Sequence, residues 1–221
     1  MKEQRDFAGM LKLGLILAVF AAAACVLLAF VYTGTQKVID ERKQADLQAS
    51  LLELFPDAEN FSAISGITSP DQSAIFESAY KAVKDGKTIG VAVQVTRAGY
   101  GGPVKVLVGV SAQGVITRVK IMEHSETPGL GANAAAPSYF VDREKKLTFY
   151  GQFAGKSVND PFKAKGDVHA ITASTITSNA VALAVKAAGV GATAWLSGVD
   201  TDTANADSTD AANGASTGET E

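Results

Sequence analysis

The chain of 221 residues holds one cysteine, one tryptophan and two histidines. A lone cysteine, Cys25, excludes a disulfide framework and any multi-cysteine zinc or iron–sulfur centre carried by this chain alone. His124 and His169 are too few for a histidine-rich metal centre. His124 beside Glu123 and Glu126 reads as a polar loop, and no metal ligand is assigned. A basic excess is also missing. The formal net charge is −3 and no basic run occurs, so nothing suggests a nucleic-acid partner. No nucleophile–base pair points to hydrolysis, so no catalytic residue is assigned. Gly99-x-Gly101 is no dinucleotide fingerprint, because a hairpin follows it and no βαβ unit surrounds it. No repeat of solenoid-like period is found.

What is present is unevenly spread. Residues 13–32, LGLILAVFAAAACVLLAFVY, contain no charged side chain. At helical rise they span roughly 30 Å, the thickness of a bilayer's hydrocarbon core. Signal-peptide apolar regions run to only about 7–15 residues before a small-residue cleavage site. Here the run continues past Cys25 through Val26, Leu27 and Leu28. A transmembrane helix over 13–32 follows, with 1–12 as a short preceding segment. Lys2, Arg5 and Lys12 before it balance Lys37, Arg42 and Lys43 after it, so charge bias gives no orientation.

Residues 33–88 read as a helical membrane-proximal region. One amphipathic helix is expected over 38–54, with Ile39, Leu47, Leu51 and Leu54 as its apolar positions and Pro56 ending it. A second is expected over 73–84, from Ile75, Phe76, Ala79, Tyr80 and Val83. The period then becomes two. Ile89, Val91, Val93 and Val95 form one strand, Val104, Val106, Val108 and Val110 the next, and Val115, Thr117, Val119 and Ile121 a third. Short glycine turns join them into an antiparallel meander, so residues 89–198 are expected to be an α+β core domain with packed helices. The aromatics within 138–153 read as core. Residues 176–188 carry a helix pattern that Gly189 and Gly191 are expected to terminate. Residues 199–221 hold six acids, no base and no aromatic, the composition of a disordered acidic tail. Without them the chain carries 20 bases against 17 acids.

The chemically informative segment is 168–178, VHAITASTITS. Thr172, Ser174, Thr175, Thr177 and Ser178 cluster directly before the last helix, with Ser174 or Thr175 at its amino cap. The unpaired amides and positive pole of a helix amino end suit a phosphate or other anion. An ordinary hydroxyl cap without a ligand has the same composition.

This segment resembles the flavinylation motif of the covalent-FMN subunits of the Rnf complex and of the related sodium-translocating NADH:quinone reductase. That pattern is Asp-x-x-(Ser/Thr)-Gly-Ala-Thr, often followed one residue later by Thr-Ser. Thr172 matches its Ser/Thr, Thr175 its acceptor threonine, and Thr177-Ser178 its continuation. Ala173 stands for the glycine, Ser174 for the alanine and His169 for the aspartate. The turn 99–102, GYGG, and the loop 124–131, HSETPGLG, are similar to the same family's FMN-binding domain. The likeness runs over roughly 90–188 and includes the single anchor helix.

The resemblance implies FMN joined to Thr175 through a phosphoester by a flavin transferase. Thr172, Ser174, Ile176, Thr177, Glu126, Thr127, Gly129 and Leu130 complete the cofactor-binding set. It further implies an electron-transfer subunit, not a stand-alone enzyme, among the integral membrane subunits of an Rnf complex that couples ferredoxin/NAD(H) chemistry to ion translocation. The main domain would lie on the extracytoplasmic face of the plasma membrane. The alternatives are the C-type subunit of the quinone reductase and a structural or assembly subunit that keeps the fold without flavin.

Overall fold

The computed structural model describes the backbone of residues 2–213 and the side chains of residues 9–198. It divides into two compact units, Met1–Ala49 and Ser50–Glu221. The first is the greater part of helix α1 (Lys2–Leu54). Its apolar run faces outward: Leu13, Phe20 and Phe30 are all more than two-thirds exposed. The stretch from Gly9 is long and apolar enough to cross a membrane. Thr33 and Thr35 return their hydroxyls to carbonyls one turn back, at Ala29 (3.1 Å) and Val31 (2.9 Å). A polar side chain at the edge of an apolar span is thereby satisfied within its own helix.

The second unit is built on a five-stranded antiparallel sheet in chain order: β1 (Asn60–Ile64), β2 (Ala74–Lys84), β3 (Lys87–Ala98), β4 (Pro103–Ser111) and β5 (Ile116–His124). The three expected strands are β3, β4 and β5. The helix expected over 73–84 is instead β2, so the region 33–88 is helical only as far as Leu54. The cause is a bulge. Phe76 pairs with Val95 and Ser78 with Gln94, leaving Glu77 as an extra residue. This insertion resets the alternation, so Ala74, Phe76 and Ala79 all reach the same core. Apolar spacings of two and then three imitate a helical period.

Helix α2 (Thr175–Asn213) lies across the middle of the sheet, with Val181, Ala184, Val185 and Ala188 buried against Val91, Val93, Val95, Val106 and Val108. It does not stop at Gly189 or Gly191, as the sequence suggested. Both glycines sit at close approaches. A Cβ on Gly189 would lie 2.9 Å from Val158, and one on Gly191 would lie 2.6 Å from the Phe76 ring and 3.0 Å from the Thr68 carbonyl. Lack of a side chain here serves packing, not helix termination. Gly191→Ala is therefore expected to lower the unfolding temperature even though alanine favours helix. Overpacking of about 1–3 kcal/mol exceeds a propensity gain of about 1 kcal/mol. Thermal unfolding of the full chain in detergent checks this, and an unchanged or raised midpoint would contradict it.

The other face of the sheet is covered by Leu51, Leu54 and Phe55, all buried. Gly90 and Gly109 make room there, since a Cβ on either would press on Phe55 or Leu54. Between β5 and α2 the chain makes an excursion with little regular structure: 3₁₀ turns at Gly131–Ala134 and Gly151–Phe153, and a small ribbon of β6 (Phe140–Asp142) with β7 (Leu147–Thr148). Phe149 meets Phe153 edge-on at 5.7 Å, and Phe153 stacks on Phe162 at 6.3 Å. All three rings are fully buried; Phe149 and Phe153 take the core role read for the 138–153 aromatics, with Tyr139 and Tyr150 half-buried against the same core. The backbone of 199–213 continues α2 where the sequence suggested the start of a disordered acidic tail; the side chains of that stretch, and 214–221 entirely, lie outside the described residues.

Candidate functional site

Two segments singled out in the sequence, some fifty residues apart, line one cavity of about 400 Å³. From the loop after β5 come Glu126, Thr127, Leu130 and Gly131; from the start of α2 come Ala173, Ser174, Thr175, Ile176 and Thr177. Tyr100, from the turn between β3 and β4, lines it as well. Thr172 and Gly129 do not line it. Tyr100, Gly131 and Ala173 line it and were not among the expected binding residues. Tyr100 and Gly131 lie in the two glycine-bearing turns and Ala173 in the threonine segment, which the sequence presents separately and the fold brings together.

The α2 end is fixed by a compact hydrogen-bond network. Ser174 N–H donates to the Ile171 carbonyl at 3.0 Å, and Ser178 N–H makes the first helical bond to the Ser174 carbonyl at 3.0 Å. The Ser178 hydroxyl donates to that same carbonyl at 2.9 Å and accepts from Ile171 N–H at 2.9 Å. Ser174 therefore occupies the cap position, and the amides of Thr175, Ile176 and Thr177 belong to the open first turn. Upstream, the Gln152 side chain accepts from His169 N–H (2.7 Å) and donates to the His169 carbonyl (3.1 Å). The His169 ring is left near Asp142. Asp142 is held below the usual carboxylate range, first by the Lys145 amide and to a smaller extent by the charges of Lys145 and His169. Asp167, on the same approach, is also lowered. Burial pushes it up, but the Lys163 amide, the Lys156 ammonium and the Phe162 amide outweigh that.

The opposite wall depends on Glu126, only 6% exposed. Its carboxylate accepts from Tyr100 N–H at 2.8 Å and Gly101 N–H at 3.3 Å, which locks the β3–β4 turn to the loop. A Cβ on Gly99 or Gly131 would overlap that carboxylate. Thr127 accepts at its carbonyl from Leu130 N–H and Ala132 N–H, closing the loop. Gly129 has φ +77°, which only glycine adopts freely, and so shapes this turn from outside the cavity.

The cavity suits a phosphorylated ligand with an apolar body. Thr177 Oγ1 is buried and has no hydrogen-bond partner among the described residues, an orphaned polar atom in the lining beside the open helix end. Apolar Tyr100, Leu130 and Ile176 stand exposed in the same lining. Size, mostly apolar lining and a few convergent polar groups are features of small-molecule sites. The residues present thus fit a flavin mononucleotide.

Residues 99–189 match the FMN-binding domain family, and residues 1–54 match the RnfG N-terminal region. The G subunit of the Na(+)-translocating ferredoxin:NAD(+) oxidoreductase complex of Acetobacterium woodii is 33% identical over 200 residues, covering 81% of this chain and 90% of that protein. The chain belongs to the RnfG family. The G subunit of the proton-translocating ferredoxin:NAD(+) oxidoreductase complex of Clostridium ljungdahlii is 35% identical over 170 residues, covering 74% of this chain and 80% of that protein. The crystal structure of Shewanella oneidensis NqrC aligns with a TM-score of 0.38 at 20% identity, covering 60% of this chain and 65% of that one.

Within the RnfG frame, Ala173 is the departure with a measurable cost. Its φ of +58° lies in the left-handed region, where a Cβ is unfavourable and the family motif has glycine. Ala173→Gly is expected to stabilise the chain by about 1 kcal/mol. A thermal or denaturant midpoint that falls instead would show that the Ala173 methyl makes contacts worth more than the strain.

Proposed function

We propose that this protein is the FMN-bearing electron-transfer subunit of an ion-translocating ferredoxin:NAD(H) oxidoreductase complex, with FMN joined to Thr175 Oγ1 as a phosphoester. The observation that carries the reading is the cavity itself. It unites the acceptor-threonine segment with the ETPGLG loop, and it holds a buried threonine hydroxyl, Thr177 Oγ1, without a partner among the described residues. Bound flavin supplies one- and two-electron chemistry; the protein fixes and tunes it. Thr175 is half-buried in the lining, with its hydroxyl at the open turn of α2. In maturation a flavin transferase would form the Thr175 Oγ1–phosphorus bond at the flavin-bearing phosphorus of a flavin dinucleotide, breaking its diphosphate P–O bond so that the nucleoside monophosphate leaves as the hydroxyl proton is lost. The amides of the first turn of α2 would then hold the ester's remaining negative charge.

Partners in this reading are the integral membrane subunits of the complex, reached through the anchor helix. Residues 13–32 carry no charge that would form an ion path, so translocation belongs to those partners. An extracytoplasmic domain gives a covalent tether a purpose, because lost FMN is not readily replaced there.

The deciding experiment is a denaturing gel viewed under ultraviolet light, after co-expression with a flavin transferase. A fluorescent band at the mass of this chain supports covalent flavin, and its absence leaves the non-flavinylated subunit as the surviving reading. Protease access in sealed cells tests sidedness: digestion of the folded domain from the cytoplasmic side would reverse the placement.

A further inference from the structure

We propose that Glu126 sets the reduction potential of the flavin as a fixed negative charge in the cavity wall. The family resemblance counted Glu126 among the cofactor-binding residues. The geometry points elsewhere. Both carboxylate oxygens are engaged by backbone amides, those of Tyr100 and Gly101, and the side chain is nearly inaccessible. Gly99 and Gly131 lie so close on either side that any Cβ would strike it. A carboxylate held in this way is a charge at a fixed position, acting through a medium that screens poorly.

No cation offsets it within the site. Among the described residues lining the cavity, Glu126 is the one charged group; the rest are threonines, serine, glycine, alanine, leucine, isoleucine and tyrosine. The ion pairs of the nearby sheet, such as Lys105 of β4 with Glu77 of β2 (2.8 Å), lie among residues outside that lining. The loop's own neighbour, His124, contributes a ring nitrogen that accepts Glu126 N–H at 3.3 Å.

Two-electron reduction of the flavin ring with uptake of one proton leaves one net negative charge on it. A fixed anion against the same cavity wall disfavours that product relative to the neutral oxidised ring. Charge placed near a flavin's reactive nitrogens is one of the protein's means of adjusting its electronics. Glu126 therefore makes the bound flavin a stronger reductant than the same cavity would without the charge. This rests on the proposed FMN site.

The test is spectroelectrochemical titration of the full chain in detergent, co-expressed with a flavin transferase, as wild type, Glu126→Gln and Glu126→Asp. Glu126→Gln keeps the shape and removes the charge. Its two-electron potential is expected to rise by at least the equivalent of a tenfold change in equilibrium, about 30 mV. Glu126→Asp keeps the charge while shortening the clamp, so its unfolding temperature should fall with the potential close to wild type. A flavin-loaded Gln chain with an unchanged potential overturns the proposal and leaves Glu126 as a structural clamp. If the Gln chain takes up no flavin, the Asp chain decides: a potential displaced as far as that predicted for Gln assigns the effect to geometry and overturns the proposal. Absence of flavin from the wild-type chain overturns the FMN reading itself, and this inference with it.

Discussion

Thr175→Ala is expected to reduce the ultraviolet-fluorescent band of the denatured chain to background, with the folded domain intact. The substitution removes the one hydroxyl that is at once in the cavity lining, partly accessible and at the first position of α2. Its neighbours are poor replacements for separate reasons. Ser174 is only 7% exposed, at the cap position. Thr177 is buried to 1% exposure. Thr172 is exposed but lies outside the cavity. Helix propensity favours alanine over threonine by a few tenths of a kcal/mol, so the unfolding temperature should barely move. Thr175→Ser keeps the oxygen and should keep the band. Fluorescence that survives Thr175→Ala would move the attachment to Ser174 or Thr172.

The departures from the family motif bear on this expectation unequally. Ser174 introduces a second hydroxyl beside the acceptor, but the fold turns that residue inward at the cap, which limits competition. Ala173 adopts the left-handed backbone that glycine would hold without strain, so the turn keeps its form at a cost to stability. His169 supplies no fixed anion. The chain there is instead held by its backbone, through the Gln152 side chain.

The sequence exposed the features set by local pattern. The apolar run of 13–32, the alternating strands β3 and β4 and the start of α2 each follow from one period, and β5 was legible although irregular pairing with β4 leaves Ile116 and Val119 as its buried residues. β2 was hidden because its bulge at Glu77 breaks the alternation on which strand recognition depends. The continuation of α2 through Gly189 and Gly191 was hidden because a glycine that ends a helix and one that admits a neighbouring ring look alike in sequence. In the site, the threonine segment and the ETPGLG loop were legible one at a time, whereas the Glu126 bonds to the 99–101 turn join residues 25 and 26 positions apart. Hence the place of Tyr100 and Gly131 in one cavity emerges only from the fold. They carry no chemistry of their own, and their importance is positional.

Gly131→Ala tests that positional claim most severely. Gly131 has no positive φ, so the change imposes no backbone strain and acts through space alone. The added methyl would overlap the Glu126 carboxylate, lie 2.9 Å from Glu126 Cβ and lie 2.8 Å from Thr177 Oγ1. Glu126 is tied to two amides of the β3–β4 turn, and Thr177 sits in the first turn of a helix packed on the sheet, so neither yields freely. A loss of about 1–3 kcal/mol in unfolding free energy is expected from overpacking. The functional loss should be larger than that figure suggests. Both walls of the cavity must part, and displacements near 1 Å can cost about a hundredfold where reacting groups must be aligned. Flavin incorporation should therefore drop severely at temperatures where the variant is still folded. Gly129→Ala is the control. Its added Cβ meets nothing within 4 Å, but its φ of +77° is strained, so it should lose stability while still taking up flavin. If the two variants lose flavin in proportion to their stability alone, contact between loop and helix is not what shapes the site.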